Sequence, residues 1–407
     1  MATALLLALF GAPAHADDLP ENQVGYQLGD GLRFELDNGT HTFRIGGFVQ
    51  PSWQPTIAGE TFDQILVVKR SQFLIDGALE DDSILFEVLT DFSLNQPLLN
   101  AWLGYRFGDG LTISAGQRQT PANLREMTYN EGYLSFPERS LVSRTFSETG
   151  REFGLFLDAE IPIGEARIRP SVAVTSGDGR NSFGVDSRDV DRGGFKWGGR
   201  IDLLPLGDFA EGNRGTVTDL AHESSPKFVI GGAFSFNDGA SGRNGEGHDE
   251  FELFAEDPFE EGEFIRQQPD YSKINADIVF KWQGFSLLGE YVTTSAAGLQ
   301  NTFTDPVGGN PLFTGQISQF LVLGSGINAQ VGYHFDFGLG VDARYSMLTD
   351  DFPDFGESQL QDATAAGAAV TAFLRDHDLK VQLAGSRVQV EGADAVIVGE
   401  LLAHLRF

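Results

Sequence analysis

Apolar and polar residues alternate with a period of two along most of the chain. Ile274, Ala276, Ile278, Phe280 and Trp282 interleave with Asn275, Asp277, Val279 and Lys281. Val341, Ala343 and Tyr345 interleave with Asp342 and Arg344, and Val381 and Leu383 with Lys380 and Gln382. The last stretch sets Leu401, Ala403, Leu405 and Phe407 against Glu400, Leu402, His404 and Arg406. Successive side chains of a strand point to opposite faces, so this period predicts strands with one apolar face. Sixteen segments fit: 41–54, 64–79, 83–93, 98–107, 110–118, 151–161, 165–176, 193–204, 225–237, 271–282, 285–295, 319–336, 338–349, 361–376, 378–389 and 394–407. Each approaches the roughly 9–11 residues with which a tilted strand crosses a bilayer.

The connections sort by length. Every second one is short: Asp81-Asp82, Gly108-Asp109, Pro162-Ile163-Gly164, Gln283-Gly284, Phe337 and His377. The others include long loops at 119–150, 177–192, 238–270, 296–318 and 350–360. Short turns at one end and long loops at the other are the asymmetry of a bacterial outer-membrane barrel. One connection, 205–224, is long for the short-turn side. The fold expected is all-β, a sixteen-stranded antiparallel transmembrane β-barrel over 41–407. Segment 17–40 would lie on the periplasmic side as a short strand or hairpin.

The first sixteen residues read as an export signal: an apolar core from Leu5 to Phe10, then Ala14-His15-Ala16 as a cleavage site. A basic region before the core is missing. Beyond this signal, no apolar run reaches the ~18 residues of a membrane helix, so a closed barrel is the remaining way to span. Phe407, with apolar residues at alternate positions before it, is the ending that barrel-assembly machinery reads. The expected location is the Gram-negative outer membrane, amid lipid and lipopolysaccharide.

Composition narrows the function. The chain of 407 residues has no cysteine, which excludes disulfides and thiolate metal sites. A net charge of −30 excludes nucleic acid as a partner. Against that background, 118–152 is unusual. It holds Arg118, Arg125, Arg139, Arg144 and Arg151 beside Glu126, Glu131, Glu138, Glu148 and Glu152. A loop of this kind, at about 119–150, can fold into the lumen, where arginine sets a positive potential. Arg118, Arg125 and Arg144 are candidates for lining the pore, while Glu138, Arg139 and Arg151 read as loop-pinning pairs. Lys69-Arg70 in the second strand and Arg44 in the first are further candidates. Adjacent strand residues face opposite ways, so one of Lys69 and Arg70 at most is expected in the lumen. Loop 238–270, with eleven acidic residues against Arg243 and Arg266, reads as solvated and self-repelling. No histidine lies in a zinc-protease pattern and no Gly-x-Ser-x-Gly elbow occurs, so no catalysis, metal or cofactor is expected.

Several of these stretches resemble the phosphate-selective porin O and P family. They are Gly46-Gly47 before Phe48-Val49-Gln50, Lys69-Arg70-Ser71-Gln72-Phe73, Gly116-Gln117-Arg118-Gln119-Thr120-Pro121, and Glu138-Arg139-Ser140-Leu141 followed by Gly150-Arg151-Glu152-Phe153-Gly154. Phe285–Tyr291 and Ala343–Ser346 are similar to its later strands. The resemblance implies a sixteen-stranded barrel, a homotrimer and passive uptake of small anions, phosphate or polyphosphate among them. It places Lys69 and Arg70 in a basic ladder down the pore. Phe48 stands where phosphate-selective members carry Arg, and Asn130-Glu131 occupies the stretch of their constriction-loop Lys. The alternatives are a general or cation-leaning porin, in which Asp76, Glu87, Asp277 and Asp342 would face the lumen, and a plugged barrel that binds at the surface.

Overall fold

The computed structural model describes residues 22–148, 150–181, 194–247, 250–298 and 300–407. The expected export signal lies outside them. Sixteen antiparallel strands close into a barrel: β1 (His41–Ala58), β2 (Thr61–Leu79), β3 (Ile84–Asp91), β4 (Leu98–Phe107), β5 (Leu111–Gln119), β6 (Arg151–Ala159, continued by Ile161–Ile163), β7 (Ala166–Thr175), β8 (Lys196–Leu204), β9 (Lys227–Asn237), β10 (Asp270–Trp282), β11 (Phe285–Ala297), β12 (Gly324–Phe335), β13 (Leu339–Asp350), β14 (Ala363–Arg375), β15 (Leu379–Val390) and β16 (Val396–Arg406). β16 closes onto β1, with Leu405 opposite Val49 and Leu401 opposite Trp53.

The burial pattern is that of a soluble protein turned inside out. On β10, Ile274, Ala276, Ile278 and Trp282 are exposed, while Lys273, Asn275, Asp277 and Lys281 are buried. The exposed row is apolar and the interior row polar, the arrangement that suits lipid outside and a hydrogen-bonded lumen inside. Closure also leaves the barrel wall without an open edge through the membrane.

The short turns fall where the pattern placed them, with one shift. Gln283-Gly284 forms a two-residue turn with φ of 49° and 85°, the mirror-image turn that matches strand twist. Ile161–Ile163 pairs with 166–168, so that turn is Gly164-Glu165 rather than Pro162–Gly164. β12 starts at Gly324, five residues later than the alternation suggests. Leu321, Val322 and Leu323 are instead buried among loop side chains, because a run of adjacent apolar residues can be covered from all sides only off the wall.

Before β1, Gln23–Gln27 pairs with Gly31–Leu36, and the latter pairs with His41–Ile45 of β1. This hairpin lies at the short-turn end. It takes over the edge of β1 where β16 stops, since Phe407 and Gly47 exchange main-chain hydrogen bonds of 2.8 and 2.9 Å.

Candidate functional site

Three segments enter the lumen and meet. Loop 120–150 follows β5 and carries α1 (Arg125–Thr128) and α2 (Leu141–Phe146). Its α1 end is anchored by Arg125, which donates to Asp202 at 2.5 Å and to Asp277 at 2.8 Å. Arg200 of the wall donates to the Asn123 carbonyl at 3.1 Å. Glu126 accepts from Ser140 N at 2.8 Å and from Arg344 at 3.1 Å, so the loop's two limbs are tied together and to β13. Arg139 donates to the carbonyls of Glu126 and Tyr129 and to the Glu131 carboxylate at 2.7 Å.

The long connection 205–226 enters from the short-turn end. Lys281 on β10 donates to the carbonyls of Asn213 and Thr216 at 2.6 and 2.7 Å. The Thr218 and Ser135 hydroxyls meet at 2.9 Å, which joins this segment to loop 120–150. Phe209 and Val217 then pack with Tyr129 and Leu134 against Leu204, Val229, Val279 and Leu288 of the wall. The length exception in the sequence is therefore a plug.

From the opposite end, the acidic loop after β9 also turns inward. Glu246 is buried and accepts from Lys273 at 3.2 Å, with Lys196 at 3.5 Å. That corrects the reading of this loop as solvated throughout. Two buried lysines offset the cost of desolvating the carboxylate and draw the loop in.

The filled side runs from β8 to β15. A small pocket of about 160 Å³ remains there beside Phe136, Arg344 and Ala366. Two larger cavities lie along β1 to β6. The outer, of about 560 Å³, faces the long-loop end. The inner, of about 400 Å³, faces the short-turn end. They share Gln72 and Arg151. At this level Gln72 donates to Glu131 at 3.1 Å and accepts from Asn130 at 3.3 Å, so a wall residue bridges to the loop. Arg151 donates to Asn100 at 2.9 Å. Gln72, Asn100, Asn130, Glu131 and Arg151 thus come together where the two cavities meet.

Both Lys69 and Arg70 reach the outer cavity, contrary to the alternation rule. Lys69 lies 2.8 Å from Glu138 and 2.8 Å from Glu400, and Arg70 donates to Gln50 at 2.9 Å and Pro137 O at 3.0 Å. The cause is a bulge: Gln50 pairs with Arg70 but Pro51 pairs with Val68, which leaves Lys69 as the extra residue. Proline lacks the N–H to continue the ladder, and a bulge re-aims a side chain.

The other sequence candidates separate. Arg144 lines the outer cavity, exposed, with no carboxylate partner among the described residues. Glu138 and Arg139 line it too. Arg44 lines the inner cavity and pairs with Asp76. Arg125 is consumed in anchoring the loop. Arg118 lies between the Trp102 and Phe156 rings, 2.8 Å from Asp158, and lines neither cavity. Of the acidic strand residues, Asp76 and Asp277 pair with arginines, Asp342 is buried beside Gln330, and Glu87 lines the inner cavity. Sequence reasoning did not single out Gln72, Asn100, Arg180 or Arg406. Only Gln72, two positions from Arg70 on the same face, carried a signal.

Charge in the outer cavity opposes the chain's total. Seven cations line it: Lys69, Arg70, Arg139 and Arg144, with Arg151, Arg180 and Arg243. Four carboxylates, Asp91, Glu131, Glu138 and Glu148, share it. Burial alone would raise Glu138, but Arg70 and Lys69 outweigh it and bring its pKa down to about 2. Burial acts on Glu131 in the same sense, and Arg139, Arg151 and Arg70 together hold it well below the usual carboxylate range.

No protein-family model matches the chain, and no curated protein matches it in sequence. Solved structures do share its fold. A loop-deletion mutant of OmpT, an outer membrane protein of Vibrio cholerae, superposes with a TM-score of 0.53 at 11% identity over 90% of this chain and 100% of that one. The anion-selective porin from Comamonas acidovorans gives 0.53 at 8% identity, over 90% and 100%. The outer membrane channel DcaP of Acinetobacter baumannii gives 0.50 at 11%, over 90% and 97%. The chain therefore has the closed sixteen-stranded barrel fold of outer-membrane porins.

Proposed function

We propose that this protein is an outer-membrane porin for passive diffusion of small anions. In this reading the long loops face outside and the short turns the periplasm. The carrying observation is the outer cavity, where seven cations face four carboxylates in a chain of net charge −30. Each of those carboxylates is engaged. Glu138 holds Lys69, Glu131 holds Arg139, Glu148 holds Arg243, and Asp91 accepts from Ser71 N and the Ser93 hydroxyl. Engaged carboxylates offer little to a passing cation, whereas Arg144 and Arg151, with no ion pair among the described residues, leave positive potential in a low-dielectric lumen. The negative total sits elsewhere, on loops and rims where salt screens it.

Purified protein in a planar bilayer should give stepwise conductance and a reversal potential of anion sign in a potassium chloride gradient. A cation-signed potential would leave the channel and remove the anion preference. No conductance at all would favour the alternative of a plugged surface barrel.

A further inference from the structure

The plug segment 205–226 is joined to the wall by two imidazoles. His222 Nε2 of the plug lies 3.0 Å from His334 Nδ1 near the end of β12. His222 Nδ1 lies 3.3 Å from the Asp336 carboxylate. A carboxylate there puts the His222 proton on Nδ1, so Nε2 accepts and His334 Nδ1 donates. His334 Nε2 then carries no proton. It is buried and has no hydrogen-bond partner among the described residues. The Phe373 ring packs edge-on against His334 from β14. On the other side of Phe373, His377 is buried against that ring and Tyr133, and neither of its nitrogens has a partner among the described residues.

This join has no place for a further proton. On His222 it would sit at Nε2 and face the His334 N–H; on His334 it would be buried at Nε2 without an acceptor. The nearby acids do not supply one. Asp219 of the plug already accepts from Asn213 at 2.6 Å, Glu223 N at 3.0 Å and Gly284 N at 2.8 Å. Glu223 accepts from Ala210 N and Asn213, and Asp342 of β13 from Gln330. Asp336 and Asp376 are exposed turn residues. The remaining titratable neighbours, Lys281, Lys380 and His377, bring no negative charge. Off the wall, both imidazoles would meet water and take up protons near their ordinary value of about 6.5. Each proton gained only on release therefore weakens docking by up to about tenfold per pH unit below that value. The Lys281 bonds to the plug carbonyls oppose release and set it lower, at about pH 5 or below. We infer that segment 205–226 is an acid-released gate: docked with both imidazoles neutral, it closes the filled side, and in acid it leaves the wall and adds an ion path there. This rests on the channel reading above but not on its anion preference.

The test is single-channel conductance of the reconstituted protein in potassium chloride as the short-turn side is acidified. Conductance should stay level from about pH 7 to 5, then rise roughly twofold by about pH 4 and return on neutralisation. His222→Gln with His334→Gln should remove the rise, since an amide pair keeps a hydrogen bond and takes up no proton. The chain has no cysteine, and the Ser135 and Thr218 hydroxyls meet at 2.9 Å. Ser135→Cys with Thr218→Cys therefore gives a single disulfide between plug and loop, which should hold conductance level throughout, and a phosphine reductant should restore the rise. Level wild-type conductance down to about pH 4, or a rise that persists in the histidine variant or in the oxidised lock, overturns the gate while leaving the channel. No conductance at any pH removes both. The wild-type series and the reversible lock decide even if the histidine variant fails to fold.

Discussion

The two halves of the lumen use the same kinds of residue to opposite ends. On the filled side, three inward lysines reach main chain, Lys281 on Asn213 and Thr216, Lys380 on the Leu134 carbonyl at 2.8 Å and Lys273 on the Phe146 carbonyl at 2.8 Å, while Lys196 is held by Glu152 at 2.8 Å and by Glu246. A buried ammonium satisfied by carbonyls fixes a loop against the wall and leaves no room for solute. On the open side, cations instead meet carboxylates across a gap, as Lys69 and Arg70 meet Glu138. Loop 120–150 belongs to both halves. The difference teaches that inward lysines satisfied by loop carbonyls hold a segment against the wall, whereas Lys69 and Arg70 stay on a cavity's lining.

The comparison can be broken most severely at the anchor of the loop. Arg125→Ala leaves Asp277 buried with one partner fewer, and loss of one member of such a pair costs about 3–5 kcal/mol. Single-channel conductance should rise several-fold as loop 120–150 leaves the wall, and the thermal midpoint should fall. Unchanged conductance would show that the loop is held by its other contacts.

Next is the outer cavity. Arg70→Ala removes a cation that lines the outer cavity, so the reversal potential should move toward cations, with permeability ratio changing about two- to fivefold. A bulge-removing Pro51→Val change should have a similar effect through Lys69, with little change in conductance.

Acid sharpens the contrast. Glu138 has its folded pKa depressed to about 2, so its ion pairs are fully present above the ordinary carboxylate range and are lost as pH falls toward 2. Anion preference should stay level between about pH 7 and 5. It should rise only at lower pH, as Glu138 is neutralised, while Glu138→Gln should show that raised preference already at pH 7. Reversal potentials across a pH series read this directly.

The smallest effect is expected from the acidic rim. Asp351→Asn with Asp354→Asn removes charge from a long loop that lines neither cavity, where salt at 0.1 M screens over about 10 Å. The reversal potential should shift by no more than a few millivolts at that salt, and more at 10 mM.

Much of this architecture was legible from residue order. Alternation at 271–282 and the turn at Gln283-Gly284 determined β10 and β11, because a strand's two faces see only lipid or lumen and a two-residue turn admits few conformations. The signal in 118–152 likewise marked the segment that folds into the lumen. The outcome of its individual arginines was not legible. Arg125 is an anchor because Asp202 and Asp277, on two distant strands, converge on it. Arg151 lines both cavities because Asn100 and the fold of the loop place it there. Lys69 faces inward because Pro51, on the partner strand, interrupts the ladder. Segment 205–224 was visible as an anomaly of length, but its role as a plug depends on Lys281 and Ser135, which only closure of the barrel brings to it. Local pattern determined the wall of this protein, since each strand answers to its own two solvents. The lumen was decided by tertiary structure, since a charged side chain there takes whichever partner the closed barrel delivers within hydrogen-bonding reach.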